Sequence, residues 1–520
     1  MILGIDAGGT NYDGVVISEG NGDCDEGEVV ATAKMPSEEE GAGGALLDEL
    51  VEKTDVDALS RVVVSTTRVL NAAVQDTLPD CTNVVVPGVG LSPELAYAGD
   101  ENVVVDGCVD HRGRVTEPLE LDGVEPSHGT VAVTAKFSTR NPELEKEAAE
   151  SIDAPTVSLG HESGGLLGFP ARAETTVANA KSKPVFGDFE SSLHDALESR
   201  GVDAPVYYLK GDAAMLSRES ANATPAHTLR SGPASSSLGL VALSDVDEAV
   251  CVDVGGTTTD VTLVEDGFPA LTDGIGAGSL KTFYDGVVSV DATVGGDTRI
   301  DENGLTGVRE GSAAAFGGPS PTPTDALRVL GETQKGDKEA AREALSTVGD
   351  PDEVARKTAD AFVTAVVEAV ESLGSRAGTV VVGGALATAL ADRLADRIDW
   401  ADEVVVPENA EVCGAVGCAV ACVSVRTHVH VDTARGEMTV ASAGPEKVEE
   451  VERGATYDDD EARQLVRRET AEATRRAGGE ATPEDVQITS LRSFNVVENG
   501  RVVGQIVDAE AQAEPGGREL

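Results

Sequence analysis

Residues 5–13 and 252–260 carry the same pattern, and that repeat limits the folds open to this 520-residue chain. The first copy reads Ile5-Asp6-Ala7-Gly8-Gly9-Thr10-Asn11-Tyr12-Asp13 and runs into Val15-Val16-Ile17. The second reads Val252-Asp253-Val254-Gly255-Gly256-Thr257-Thr258-Thr259-Asp260 and runs into Thr262-Leu263-Val264. Both are D-x-G-G-T-x-x-D between β-branched apolar runs, and both close on an acidic-Gly turn, Glu19-Gly20 and Asp266-Gly267. Apolar runs on either side of a Gly-Gly-Thr turn predict a β-hairpin with the turn at its tip. Two glycines there adopt conformations closed to other residues. They also let backbone N–H groups approach phosphate oxygens and form a nest, to which the Thr hydroxyls add donors. The strand-end Asp would repel a phosphate, so its place is to hold Mg²⁺ or its waters, or to act as a base. One such turn could belong to any hairpin. Two with the same flanks, half a chain apart, favour a pair of phosphate sites.

A third glycine element follows a strand-like run. Gly378-Thr379-Val380-Val381-Val382 leads into Gly383-Gly384-Ala385, then into a helix with Leu386, Leu390 and Leu394 on one face. A helix from Val354 to about Leu373 precedes it, with Phe362, Val363, Val366, Val367 and Val370 on its apolar side. Helix, strand, GGA, helix offers bare backbone for a nucleoside. Close packing is the alternative use of those glycines.

Charge narrows the partners. The chain has 92 Asp+Glu against 40 Lys+Arg, a formal net charge of −52, and only 12 of the basic residues are Lys. Such a surface repels nucleic acid and anionic membranes, so neither is an expected partner. No run of 18 apolar residues is present, and Met1–Asp6 enters a strand without a basic leader, which predicts a cytoplasmic protein. Self-repulsion destabilises a compact chain of this charge in dilute buffer. At molar salt the screening length is roughly 3 Å, so the acidic excess, scarce Lys and few aromatics predict a halophile's salt-rich cytoplasm. The seven Cys include no CxxC pair. Cys413, Cys418 and Cys422 stand in an Ala/Val stretch and read as a buried helical face rather than a metal site.

The two hairpins and the GGA element resemble the actin/sugar-kinase/Hsp70 ATPase superfamily. Further motifs, in order, narrow the resemblance. These are Ser65-Thr66-Thr67 with Asn71-Ala72, Phe137-Ser138-Thr139-Arg140-Asn141-Pro142, Gly160-His161-Glu162-Ser163, Ser231-Gly232-Pro233-Ala234-Ser235, Gly295-Gly296-Asp297-Thr298-Arg299 and Ala315-Phe316-Gly317-Gly318-Pro319. Over about residues 1–425 the chain is similar to the hydantoinase/oxoprolinase family, of the N-methylhydantoinase A-subunit type. That resemblance implies two α/β, ribonuclease H-like lobes with mixed sheets closing on ATP and Mg²⁺. It implies ATP-dependent opening of a cyclic amide, hydantoin or 5-oxoproline, with a B-type subunit completing hydrolysis. Related members carboxylate ketones. A kinase or a non-catalytic ATP switch on the same scaffold stays open.

Carried over by residue, Asp6, Gly8, Gly9, Thr10 and Asn11 would form one wall of the ATP site. Asp253, Gly255, Gly256, Thr257, Thr258 and Thr259 would form the other, and Gly383, Gly384 and Ala385 would meet the nucleoside. Asp6 and Asp253 would hold Mg²⁺. Asp13 and Asp260 share such a role or anchor their turns. His161 and Glu162 are candidate catalytic groups or parts of a structural turn; Arg299 is a phosphate neutraliser or a surface ion-pair partner. The family commonly places a His-Glu pair after Asn-Pro, whereas this chain has Glu143-Leu144-Glu145, with Leu144 at the His position.

The expected domains are residues 1–175, an N-terminal domain with the first hairpin; 176–425, an ATPase core with the second hairpin and adenosine element; and 426–520, a small α+β module. In the last, His428 and His430 share a strand face as a metal-compatible pair or a surface pair. Asp458 starts a helix running to about Ala477, and Asn499-Gly500 marks a hairpin. The charge reading has a direct test: thermal unfolding in molar KCl is expected at a higher midpoint than in dilute buffer, and the reverse order overturns it.

Overall fold

Each repeat folds as an antiparallel hairpin, and the register explains the spacing of its acids. Strands Ile2–Ala7 and Asn11–Ile17 pair with Asp6 opposite Asp13. Strands Ala249–Val254 and Thr259–Glu265 pair with Asp253 opposite Asp260. The two carboxylates of each motif therefore face one another across a hairpin and project from the same side of the sheet. These are features of a computed structural model, which describes residues 1–19, 27–39, 41–121, 124–164, 168–444 and 446–517. Gly20 of the first acidic-Gly turn and Cys24 lie outside the described residues.

The hairpins seed two sheets of matching topology. The first runs in the order Met215–Ser217, Val206–Leu209, Arg61–Thr66, Ile2–Ala7, Asn11–Ile17, Val29–Pro36. The second runs Phe268–Pro269, Thr259–Glu265, Ala249–Val254, Thr379–Gly384, Glu403–Val405, with Ser289–Ala292 also paired to Thr259–Glu265. In both, the hairpin's first strand has an antiparallel neighbour on one side and a parallel one on the other. This is the mixed α/β, actin-like arrangement expected.

Helices Ser231–Ser244 and Cys413–Val420 exchange places between the sheets. The first follows the N-terminal sheet in sequence, yet its Leu240 packs with Ala249, Cys251 and Val264 of the second sheet. The second helix follows the C-terminal sheet, yet Ala415, Val416 and Ala419 pack with Ile2, Val15 and Val63 of the first. The two helices cross at backbone distance. A Cβ on Gly239 would lie 1.9 Å from the Cys413 carbonyl oxygen, one on Gly417 1.8 Å from that of Ser235, and one on Gly4 2.1 Å from that of Ala415.

Between the strands Arg61–Thr66 and Val206–Leu209 the chain builds an all-parallel sheet, ordered Thr156–Leu159, Thr130–Ala135, Cys81–Val86, Glu101–Val104. Its two central strands are buried throughout, as parallel strands covered on both faces are. Leu144 is buried in this core, so the position that would carry an imidazole in the family carries packing here.

The C-terminal residues form a five-stranded antiparallel sheet under helix Asp459–Arg476, which opens on an Asp458/Glu461 capping box. Asn499 and Gly500 both have positive φ and turn the strand Val486–Glu498 into Arg501–Ala513. His428 and His430 are buried rather than on the surface: both face Asp508, at 3.3 and 2.9 Å. Burial opposes ionisation of Asp508, but the two imidazoles and Arg140 overcome it and hold the carboxyl far below the usual range. Arg140–Asp508 and the two-pronged Arg112–Asp432 pair fasten this sheet to the inserted parallel one. Among the described residues no helix is long and apolar enough to cross a membrane.

Gly239→Ala places a methyl inside the helix crossing, where neither backbone can yield cheaply. We expect the urea midpoint, measured in molar KCl, to fall by the equivalent of about 1–3 kcal/mol; an unchanged midpoint contradicts the backbone contact.

Candidate active site

The fold brings the two repeats tip to tip. Thr10 Oγ1 lies 3.0 Å from Thr257 Oγ1, and a Cβ on Gly256 would sit 2.5 Å from the Thr10 Cγ2 methyl. Gly255 and Gly256 are gripped from behind by the next loop: Gly296 and Asp297 donate their N–H groups to the Gly255 and Gly256 carbonyls, at 2.9 and 2.8 Å. On the first tip, Ser37 Oγ donates to the Gly9 carbonyl at 2.7 Å. The second turn is thus held by neighbouring backbone and the first by the Ser37 hydroxyl, and their glycines present bare backbone, as a phosphate nest requires.

Below the tips lie the carboxylates. Asp6 accepts a hydrogen bond from Ser65 Oγ, and Asp253 accepts one from Ser236 Oγ. Gly414 makes room for Asp6, since a Cβ there would meet Asp6 Oδ2 at 2.4 Å. Burial pushes the Asp6 carboxyl up to about 7; the Ser65 hydroxyl opposes the rise, and Asp13 and Asp253 add repulsion. Burial also raises Asp13 and Asp253, and raises Asp260 strongly with help from Asp291. Arg230 faces Asp260 and Asp291, and the cation set against Asp6, Asp13 and Asp253 is Lys34, on the strand Val29–Pro36 directly across from Asp13. Its Nζ lies 2.7 Å from Asp13 Oδ1 and donates to the Glu411 carbonyl at 3.1 Å. Burial lowers its pKa, but Asp13 and Asp253 outweigh that and keep the ammonium charged.

These residues suit a nucleotide with its cation. Among the described residues no cluster of three or more His, Cys, Asp or Glu could hold a metal unaided. Mg²⁺ characteristically keeps several waters and uses one or two carboxylates plus phosphate oxygens, which Asp6 and Asp253 would supply. Burial raises both carboxyls, with repulsion from Asp13 and Asp253 added at Asp6, and a divalent ion would favour their charged forms. At the third glycine element, Gly384 and Ala385 open toward solvent, whereas Gly383 is buried against Cys413 and Leu240. Gly384, at φ +87°, would carry a Cβ 2.3 Å from the Val254 carbonyl, so contact with the neighbouring strand already requires glycine there.

The other candidates lie elsewhere. His161 is buried beside the inserted sheet, its Nδ1 2.6 Å from Glu145 Oε2 and its Nε2 3.6 Å from Glu446 Oε2. Glu145 also accepts the N–H groups of Ala135 and His161. Burial alone would raise Glu145, yet His161, the nearby Arg172 and those N–H groups hold it below the usual range. Among the described residues His161 shares no hydrogen bond or ion pair with either hairpin. Glu162 is half-buried in the same short turn. Arg299 pairs with Glu310 at 2.6 Å on the surface. Its neighbour Arg309 instead spans the lobes, reaching Glu38 at 2.6 Å and Asp297 at 3.5 Å. Lys34 and Arg309 were not singled out from sequence; the scarcity of Lys was the available signal for the first.

Comparison with known proteins agrees with this architecture. A model described as hydantoinase/oxoprolinase matches residues 172–427, and one described as the hydantoinase/oxoprolinase N-terminal region matches residues 2–155. The chain belongs to the hydantoinase/oxoprolinase family. Among curated relatives, the caprolactamase subunit alpha of Pseudomonas jessenii is 28% identical over 223 residues, 39% of this chain and 31% of that one. An uncharacterized protein of Methanocaldococcus jannaschii is 24% identical over 264 residues, 44% of this chain and 39% of that one. The matched segments thus span about a third of the curated relatives' length. Among solved structures, a nucleotide-free acetone carboxylase superposes with a TM-score of 0.67 at 16% identity, covering 100% of this chain and 88% of that one. The ATP-dependent caprolactamase of P. jessenii superposes with a TM-score of 0.62 at 18% identity, covering 98% and 87%.

The raised pKa of Asp6 fixes the sign of a pH effect. The folded protein holds this proton up to about pH 7, whereas the ordinary carboxyl releases it near 3.8. Between those values the folded state binds more protons, so this group's contribution to stability falls as pH rises. Asp6→Asn is expected to be more stable than the parent at pH 8, with the difference shrinking toward pH 4. Urea unfolding across that range checks it, and a difference that grows on acidification contradicts it.

Proposed function

We propose that this chain is the ATP-using, A-type component of a cyclic-amide hydrolase. The observation that carries the reading is the meeting of the two D-x-G-G-T tips over Asp6, Asp253 and Lys34, in a chain of the hydantoinase/oxoprolinase family. An amide carbon is a poor electrophile, and transfer of a phosphoryl group to its oxygen makes that oxygen a good leaving group. The carbonyl oxygen attacks the γ-phosphorus and ADP leaves. Water then adds to the activated carbon, and the C–N bond breaks with a proton going to nitrogen. A second water releases phosphate from the acyl phosphate so formed.

The chain's own part is positioning and charge neutralisation. The N–H groups of Gly8–Asn11 and Gly256–Thr258 would hold the phosphates, with the Gly255 N–H closing the second turn onto the Thr258 carbonyl, and Lys34 would balance the charge developing on them. Mg²⁺, held through Asp6 and Asp253, would supply further neutralisation. The relatives' names support a two-component enzyme, since the P. jessenii protein is a subunit alpha. A B-type partner would then complete ring hydrolysis. The fold shared with an acetone carboxylase supports a second reading, ATP-dependent carboxylation of a ketone.

The deciding experiment is ATP turnover in molar KCl with lactams, imides and ketones, with and without bicarbonate and a B-type partner. Lactam-dependent turnover with a ring-opened product is expected; turnover requiring bicarbonate and a ketone favours the second reading. Nucleotide binding without any small-molecule stimulation overturns both. Asp253→Ala is expected to abolish turnover. Lys34→Met is expected to lower kcat by about 10²-fold, and wild-type rates in either variant contradict the site.

A further inference from the structure

The first hairpin has a second face. Along its strands Asp6 and Asp13 project to one side, while Ile5, Ala7 and Tyr12 project to the other. On that reverse side the structure holds a cavity of about 610 Å³, within the range that encloses small organic ligands. Its wall is apolar: Ile5 and Val64 from the sheet, Leu46 and Leu47 from helix Ala42–Glu52, and Phe189 and Leu193 from helix Phe169–Glu198.

The polar groups sit at the rim, and the rim is continuous with the phosphate turn. Ser37 lines the cavity and also grips the tip, donating Oγ to the Gly9 carbonyl and its N–H to the Thr10 carbonyl. Arg68 lines it too; its neighbour Thr67 lies where a Cβ on Gly9 would be 3.9 Å from the hydroxyl. Arg68 Nη2 donates to the Tyr12 hydroxyl at 2.8 Å, which orients a guanidinium that carries five N–H donors. Against this one guanidinium the other charged side chains lining the cavity are acidic, Glu39 and Asp188, so the rim is net negative and, over an apolar wall, a carboxylate is disfavoured relative to a neutral carbonyl.

We propose that this cavity binds the acceptor substrate: an uncharged cyclic amide of mainly hydrocarbon character, its ring against the Leu46, Leu47 and Phe189 wall and its carbonyl at the Arg68 rim beside Gly9. This rests on the cyclic-amide reading above and narrows it, favouring a simple lactam over anionic 5-oxoproline.

Isothermal titration of the full chain in molar KCl tests the cavity without relying on turnover, with ε-caprolactam and 5-oxoproline as probes. The lactam is expected to bind at least tenfold more tightly than 5-oxoproline. Leu47→Trp, which fills the cavity, and Ser192→Trp, which plugs its exposed rim, are each expected to weaken lactam binding at least tenfold. Affinity for a non-hydrolysable ATP analogue reports whether each variant is folded. Lactam binding that is undetectable in the parent, indifferent to both substitutions, or weaker than that of 5-oxoproline overturns the proposal. Lactam binding that these variants weaken, in a protein with no lactam-dependent ATP turnover, sustains the cavity and counts against the hydrolase reading.

Discussion

The close crossing of helices Ser231–Ser244 and Cys413–Val420 underlies everything at the cleft. Gly239 and Gly417 let each helix rest on the other's backbone, and each helix also covers the sheet that seeds the opposite hairpin. The same short helices supply the environment of the strand-end acids: Gly414 leaves space for Asp6, and Ser236 donates to Asp253. A displacement of either helix would therefore move both carboxylates and both tips together. Core packing and site geometry are one arrangement here.

The charge of the protein and the chemistry of its cleft pull in opposite directions. A chain of net charge −52 concentrates Asp6, Asp13, Asp253 and Asp260 where a polyanion would bind, with Lys34 between them. Partial burial keeps those acids reluctant to ionise, as Asp6 at about 7 shows. Backbone nests at the two tips would then supply the attraction for phosphate. In the proposed function, this division would let the exterior be strongly acidic while a few neutral turns hold phosphate.

Local patterns in the sequence reached the structure largely intact. The D-x-G-G-T-x-x-D spacing corresponds to a hairpin register that pairs Asp6 with Asp13 and Asp253 with Asp260. Asp458 caps its helix, and Asn499-Gly500 turns its strands. What escaped was long-range. Lys34 stands in an ordinary strand and gains its meaning from the register with Asp13. His161 meets Glu145 only because a parallel sheet brings two distant loops together. His428 and His430 share a strand face and read as a metal-compatible pair or a surface pair, but packing of the C-terminal sheet on the inserted one buries them around Asp508. Nothing in local spacing encodes which sheet a helix will cover.

That exchange of helices has a consequence for how the polypeptide is made. The N-terminal sheet is complete in its strands by Ser217, but the helix that covers its inner face, Cys413–Val420, leaves the ribosome about 200 residues later. At 5–20 residues per second this is an interval of roughly 10–40 s. Until then, of these two helices only Ser231–Ser244 contributes to the cluster of Ile2, Val15 and Val63, through Ala234 and Leu238. The nascent first lobe therefore leaves part of this apolar face uncovered until the second half has been made.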